Sequence, residues 1–222
     1  MMNVEEILAK LVSFPILGGE SNMTILNWIK EYLESYKVEV NLVPNKNENK
    51  ASLHCRIGPP KEGGVILSGH MDVVPVEGQK WTSNPFILTD KGDGKLYGRG
   101  TSDMKGFLAC CLATLPEMVN ADLKKPIYFA FSYDEEVGCL GIQKLVPFLN
   151  KLDPKPKFCI VGEPTEMKLV NQHKGKKNFE VSFNGLESHS SLINEGVNAI
   201  QYCSKFIQFL DCLLYTSPSP RD

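Results

Sequence analysis

Short apolar runs alternate along the chain with amphipathic segments. Continuous runs at 65–67, 127–131 and 158–161 have the length and the composition of buried strands. Segments 21–36 and 142–149 instead carry apolar residues at helical spacing, which is typical of helices that pack on a sheet. This alternation predicts an α/β fold in which a mainly parallel mixed sheet is flanked by helices.

Weaker patterns complete this part of the chain. Asn3 and Glu6 form a capping pair in sequence, which predicts that a short helix begins after Asn3. Apolar and polar residues alternate over 38–42 and over 53–57, as they do in half-buried strands. Residues 104–115 are apolar almost all round and are therefore expected to form a buried helix.

The pattern changes after residue 175. Apolar residues alternate with polar ones over 179–183, which predicts a half-exposed strand, and a helix is predicted to begin near Asn194. We therefore assign residues 1–175 to a first, incomplete domain that carries the candidate chemistry described below. Residues 176–211 are assigned to the start of a second, smaller α+β domain.

The sequence of the last eleven residues, 212–222, suggests that they are not part of the natural protein. They match the reading-frame translation of a common transposase sequencing adapter, which predicts a cloning or assembly scar. The natural sequence is then expected to stop near Asp211, inside the second helix-forming segment. On this interpretation the chain is a truncated gene product.

Composition and charge narrow the classes of function. A net charge of −2 gives no electrostatic reason to expect nucleic acid or an anionic membrane as a partner. No apolar run reaches the roughly 18 residues that a membrane span needs, and the first residues lack the pattern of a secretory signal. The seven cysteines lack paired CxxC spacing, which favours free thiols in a reducing cytosol. The sequence therefore predicts a cytoplasmic globular protein.

Metal-binding side chains follow the predicted strands and recur at intervals of roughly thirty residues, the length of one strand–helix–strand unit. Parallel strands deliver their carboxyl ends to one crevice, so residues distant in sequence meet there. The candidates are His70, Asp72, Asp103, Glu135, Glu136 and Glu163. Together they predict a two-metal hydrolase site.

The residue types suggest individual roles. The imidazole of His70 is a good zinc ligand, and Asp72, two positions on, can orient the ring. Asp103 follows a glycine-rich turn, and one carboxylate can bridge two metal ions about 3.5–4 Å apart. A nucleotide-binding loop is the competing interpretation, but its GxGxxG pattern would need glycine at position 103.

The acidic pair and the strand-end carboxylate leave alternatives open. Glu135 and Glu136 point to opposite sides if the chain is extended, so that one can bind metal while the other acts as general base. Glu163 precedes a proline, which restricts it to extended geometry. The competing interpretation is a paired acidic turn on the surface for Glu135 and Glu136, and a simple strand-end carboxylate for Glu163.

Two histidines lie further along the chain. His189 is flanked by serines and is interpreted either as a catalytic residue that stabilises an oxyanion or as an ordinary surface histidine. For His173 the ordinary surface role is favoured.

Five stretches of residues 1–211 resemble the motifs of the M20 family of di-zinc amidohydrolases. They are 67–75 (LSGHMDVVP), 96–106 (LYGRGTSDMKG), 133–141 (YDEEVGCLG), 161–166 (VGEPTE) and 173–175 (HKG). The resemblance implies a zinc-peptidase-like catalytic domain with an inserted lid domain that forms a homodimer. It also implies a cis peptide bond at Asp103–Met104.

The same resemblance implies a role for each site residue. His70 would bind one zinc, with Asp72 as its orienting partner, and Asp103 would bridge two Zn²⁺ ions, for which Co²⁺ is a possible substitute. Glu136 and Glu163 would complete the ligands, one on each ion.

Two further roles follow from the resemblance. Glu135 would be the general base. His189 matches the lid histidine that reaches the partner subunit's active site in related enzymes.

The resemblance also implies hydrolysis of a small N-acyl amino acid. It favours an amino-acid deacetylase, while a desuccinylase, an aminoacylase or a dipeptidase of the same family stays open. The family's final histidine ligand, near the C-terminus, has no counterpart in this sequence. The polypeptide as written is therefore expected to be inactive or nearly so, and a non-catalytic metal-binding or dimerising fragment is the alternative from another class.

Overall fold

A computed structural model describes residues 2–172, 175 and 179–216 of the chain. The chain divides into two compact units, Met1–Leu169 and Val170–Asp222. The first unit is an α/β structure, and the second contains one long helix with extended segments before it. In the described residues, no helix combines the length and the apolar character needed to cross a membrane.

The helices and strands follow one another as the sequence pattern predicts for an α/β protein. The helices are α1 (Val4–Val12), α2 (Met23–Ser35), α3 (Gly106–Ala113), α4 (Leu115–Asn120), α5 (Ile142–Leu149) and α6 (Ala199–Thr216). The strands are β1 (Val40–Pro44), β2 (Ala51–Ile57), β3 (Val65–His70), β4 (Thr89–Asp90), β5 (Leu96–Tyr97), β6 (Ile127–Ser132) and β7 (Phe158–Val161).

Five strands form one mixed sheet in the order β1-β2-β6-β3-β7, which confirms the expected fold class. β1 pairs with β2 and β2 pairs with β6 in antiparallel fashion, whereas β3 runs parallel to both β6 and β7. Parallel and antiparallel pairings are thus balanced in this sheet. β4 and β5 form a separate two-stranded sheet.

Helices cover both faces of the main sheet. The larger apolar cluster joins buried side chains of α1, α2 and α3 to the inward-facing residues of β2 and β6. On the opposite face, Leu145 of α5 packs with Ile66, Tyr128 and Ala130. Alternate residues of β6 thus point into the two clusters, as the strand period of two requires.

The first two helices begin with different caps. The Asn3 side chain accepts a hydrogen bond from the Glu6 backbone N–H at 2.8 Å, and the Glu6 carboxylate accepts one from the Asn3 N–H, which confirms the capping pair. The sequence pattern suggested that the second helix begins at Ser21, but in the structure it begins at Met23. The Ser21 hydroxyl instead donates to the Asn49 carbonyl at 2.6 Å.

Burial differs from the sequence prediction in two strands. β2 was expected to be half-buried, but six of its seven residues are buried because it is an interior strand with helices on both faces. β7 was expected to be buried, but all four of its residues are exposed because it lies at the edge of the sheet. The helix expected over 104–115 begins at Gly106 and gives way to α4 at Leu115, where Pro116 occupies the first turn.

The second unit departs further from its predicted pattern. Residues 179–183, predicted to form a strand, belong to no strand among the described residues. In the same unit a β-bridge joins Leu186 to Val197. The helix predicted near Asn194 begins at Ala199, because a single 3-10 turn, Ile193–Glu195, and the bridge residue precede it. α6 ends at Thr216 and so includes the first part of the adapter-like segment. His173 lies outside the described residues.

Candidate metal centre

The candidate ligands share one edge of the sheet because the strands that precede them are parallel. β3 ends at His70, which lies opposite Ser132, the last residue of β6. Val161, the last residue of β7, lies opposite Ser68 of β3. The segments that carry Glu135, Glu136 and Glu163 therefore all leave the sheet at the edge where His70 stands.

Asp103 reaches this edge from the segment that precedes α3. Thr101–Lys105 makes a wide helical turn with non-helical backbone angles at Asp103 and Met104. Gly100, just before it, has φ +81°, and a Cβ there would lie 2.7 Å from Val73 Cγ1. The glycine expected from the sequence is thus needed both for its backbone angle and for its lack of a side chain. The Asp103–Met104 peptide bond is cis, as expected.

The structure brings together one imidazole and four carboxylates. His70 Nε2 lies 3.0 Å from an Asp103 oxygen, 3.9 Å from a Glu163 oxygen and 4.0 Å from a Glu135 oxygen. Two sets of donor atoms each fall within 4.8 Å of one another. They are His70 with Glu135 and Glu136, and His70 with Asp103 and Glu163.

Asp72 makes hydrogen bonds both to His70 and to the acidic pair, Glu135 and Glu136. Its backbone carbonyl lies 2.8 Å from His70 Nδ1. A carbonyl can only accept, so this hydrogen bond places the ring proton on Nδ1 and leaves Nε2 of the neutral ring as a ligand atom. The two carboxylate oxygens of Asp72 accept the backbone N–H groups of Glu135 and Glu136, each at 3.1 Å. The ring is thus oriented by the Asp72 backbone, while the Asp72 side chain holds the acidic pair.

Glu135 and Glu136 lie in a tight turn rather than in extended chain. Asp134 before them has φ +53°, and the N–H groups of Gly138 and Cys139 both donate to the Glu135 carbonyl at 3.0 Å. The expectation that the two side chains point to opposite sides of an extended chain was therefore wrong. The turn brings a carboxylate oxygen from each of them within reach of His70.

Two lysines near the cluster are buried, and the sequence pattern did not predict their burial. Lys50 Nζ contacts an Asp134 carboxylate oxygen at 2.6 Å, and Lys105 Nζ donates to the Phe14 carbonyl at 2.7 Å. Burial lowers the pKa of Lys105 to about 8, against the opposing charge of Asp72. Lysines are ordinarily exposed, and a single lysine beside an apolar run carries no pattern that reveals its burial.

The charges of the cluster favour a bound cation. Burial raises the pKa of Glu163 and of Glu136, and the nearby Asp103 carboxylate raises both pKa values further. For His70, burial lowers the pKa, but the charges of Asp72 and Glu163 and the hydrogen bond with Asp103 outweigh this and raise it. Carboxylates that oppose one another's ionisation in this way are stabilised as ligands of a divalent metal. The donor set, one imidazole with hard oxygens, fits zinc, cobalt or manganese.

His189 belongs to the second unit. Its side chain is exposed, and its Nδ1 lies 2.8 Å from the Ser191 hydroxyl and 3.3 Å from the Ser191 backbone nitrogen. The two interpretations of His189 from the sequence therefore both stay predictions.

In an α/β sheet the carboxyl ends of parallel strands form a crevice in which ligands bind, and here a histidine and several carboxylates lie at these ends. The model of Peptidase family M20/M25/M40 matches residues 66–205, more than half of the chain. The chain belongs to this family. Members of the family are metal-dependent hydrolases.

Individual relatives support the same family. The chain is 37% identical to an acetylornithine deacetylase of Erwinia tasmaniensis over 96% of this chain and 56% of that protein. It is 38% identical to an acetylornithine deacetylase of Pectobacterium carotovorum over 92% of this chain and 54% of that protein. The chain thus spans about half the length of the curated relatives it matches.

A solved structure resembles the fold. An M20 family metallo-carboxypeptidase from Sulfolobus solfataricus superposes with a TM-score of 0.64 and 25% sequence identity, over 73% of this chain and 37% of that one.

Proposed function

We propose that the full-length protein hydrolyses the N-acetyl amide of N2-acetyl-L-ornithine to L-ornithine and acetate, a step of arginine biosynthesis. The observation that carries this proposal is the convergence of His70 with four carboxylates at one edge of the sheet. The curated relatives, named as acetylornithine deacetylases at 37% and 38% identity, supply the substrate.

The ligand atoms support a site for two Zn²⁺ ions, for which Co²⁺ would substitute. His70 belongs to both sets of donor atoms, so the two sets describe one continuous site. Asp103 would hold both ions, with Glu136 as a ligand of one and Glu163 as a ligand of the other. When bound, the metal ions supply Lewis-acid chemistry and lower the pKa of water to about 7.

Glu135 is the residue that we assign as general base. Its backbone N–H is held by Asp72, and its carboxylate is half-buried, with an oxygen 4.0 Å from His70 Nε2. In this position it accepts a proton from the attacking water and delivers it to the amine that leaves. Proton transfer of this kind contributes roughly 10²–10⁴-fold to the rate.

His189 completes the proposal. We assign it to stabilise the oxyanion that forms on the acyl carbonyl, in the active site of the partner subunit of a homodimer. A cytoplasmic location follows the same proposal, because the substrate is a small biosynthetic amino acid.

The test is the substrate preference of the full-length protein from the source organism. We expect kcat/KM to be highest for N2-acetyl-L-ornithine, with N-succinyl-diaminopimelate and a simple dipeptide as the compared substrates. Faster turnover of the succinyl compound would assign the protein as a desuccinylase, and faster turnover of the dipeptide would assign it as a peptidase. Absence of turnover with all three substrates in the metal-loaded protein would contradict a catalytic role.

A further inference from the structure

A buried ion pair lies directly behind the acidic turn. Lys50 Nζ contacts an Asp134 oxygen at 2.6 Å, and the two side chains are only 7% and 6% exposed. The second Asp134 oxygen accepts the backbone N–H of Gly19 at 2.8 Å. Lys50 immediately precedes β2, so an ammonium group from the antiparallel part of the sheet reaches the residue before Glu135.

The backbone of Asp134 explains why such a contact is needed. Its φ of +53° is a left-handed conformation that residues with a Cβ rarely adopt, and it persists only where several contacts fix it. Both carboxylate oxygens are engaged, and the Asp134 carbonyl accepts the Leu140 N–H at 3.0 Å. The contacts of this one residue therefore determine the direction in which Glu135 and Glu136 leave it.

Asp72 and Gly18 also contact the turn that carries Glu135 and Glu136. The Asp72 carboxylate accepts the N–H groups of Glu135 and Glu136. Gly18 lies against the turn so closely that a Cβ there would stand 2.7 Å from Val137 Cγ1. Lys50 is the positively charged group in this set of contacts, and it neutralises the buried Asp134 carboxylate.

We propose that Lys50 is a positioning residue, which acts through its ion pair with Asp134 to hold Glu135 and Glu136 facing His70. A buried ion pair adds little stability over an apolar pair of the same size, so a role in fixing one conformation accounts better for its presence. The consequence for metal binding rests on the proposed function, but the positioning itself is measurable in the metal-free chain.

The first test is amide hydrogen exchange of the 222-residue chain with the Lys50→Met substitution. We expect exchange at the Glu135 and Glu136 amides to become at least about tenfold faster, while amides of the β2–β6 ladder change less. The control is Leu26→Ala, which removes a fully buried side chain of α2 and lowers stability without touching the turn. If Lys50→Met accelerates amide exchange equally in the turn and in the β2–β6 ladder, as the control is expected to do, Lys50 has a purely structural role and the proposal fails.

The second test is Co²⁺ affinity, measured by titration of the same variants. Loss of a supporting group behind metal ligands typically weakens binding 10–100-fold, and we expect Lys50→Met to fall in this range. The double variant Lys50→Met/Asp134→Asn removes the unpaired buried charge, so it should fold as stably as wild type yet still bind Co²⁺ weakly. Wild-type affinity in the double variant, together with wild-type exchange at the turn, would overturn the proposal. Faster exchange at the turn with unchanged Co²⁺ affinity would uphold the positioning but reject the assigned metal-facing roles of Glu135 and Glu136.

Discussion

The parallel and antiparallel halves of the main sheet contribute different groups to the same edge. The candidate ligands that follow strands come from β3, β6 and β7, the strands that run parallel to one another. β2 runs antiparallel to β6, so its beginning rather than its end lies at that edge, and Lys50 immediately precedes it. Strand direction therefore separates the groups: the candidate ligands lie at strand ends, and Lys50, the proposed positioning residue, lies at a strand beginning.

The two halves also differ in burial. β2 is covered on both faces, and Ile57 at its far end is 2% exposed. β7 forms the edge of the parallel half, and its Ile160 is 46% exposed. Stability should therefore depend more on the antiparallel half, and metal chemistry more on the parallel half.

The largest expected effect comes from the acidic turn of the parallel half. In the full-length protein, Glu135→Ala should lower kcat by roughly 10²–10⁴-fold with unchanged metal content, because a general base is lost but no ligand is. The neighbouring Glu136→Ala is the matched comparison and should lose metal as well as activity. Retained activity in Glu135→Ala would reject Glu135 as the general base. Loss of metal in Glu135→Ala but not in Glu136→Ala would reverse the two assignments.

A core truncation in the antiparallel half should act on stability alone. Ile57→Ala removes a buried side chain at the end of β2 away from the metal site and should lower the free energy of unfolding by about 2–5 kcal/mol. Urea unfolding measures this loss, and Co²⁺ titration of the folded variant should give wild-type affinity. A clear loss of affinity would show that the two halves are not separable.

Acid should destabilise the antiparallel half through His54. This side chain is 3% exposed, and burial, with a smaller contribution from Arg56, lowers its pKa to about 4. Because the unfolded chain binds the proton near pH 6.5, the stability contribution is complete above that pH and is lost as the pH falls towards 4. The loss should reach up to about 3 kcal/mol.

His54→Phe isolates this effect, because a phenyl ring can occupy the place between Tyr128 and Phe148 without titrating. The variant's unfolding free energy should depend less on pH between 6.5 and 4 than that of wild type. Identical pH profiles for the two proteins would rule out His54 as the group responsible.

The smallest effect is expected at the edge of the parallel half. Ile160→Thr should change the free energy of unfolding by less than about 0.5 kcal/mol, because the side chain is 46% exposed. A loss of more than about 2 kcal/mol by urea unfolding would mean that β7 is covered by another part of the protein in solution.

Much of the site could be predicted from the sequence because strand ends are visible as the ends of apolar runs. His70, Asp103 and Glu163 each follow such a run or a glycine turn, and the structure brings them together. The conformation of the acidic turn could not be predicted. It depends on a left-handed Asp134 whose partners, Lys50 and Gly19, lie 84 and 115 residues away in sequence.

Burial was harder to predict than the strands themselves. Apolar content identified 158–161 as a strand but not as an edge strand, since the order of strands in a sheet is not local information. The alternation over 179–183 likewise predicted a strand, but strand pairing is not local information, and among the described residues this segment belongs to no strand.

The most direct test of the metal centre is Zn²⁺ titration of the metal-free protein at neutral pH, with Asp103→Ala compared with wild type. Glu117→Ala, which removes an exposed carboxylate of α4, is the matched control and should bind as wild type does. If Asp103 is a shared ligand of the cluster, its removal should weaken Zn²⁺ binding by more than about 100-fold, beyond the effect of losing a supporting group. Affinity within about threefold of wild type would contradict a metal centre at this edge of the sheet.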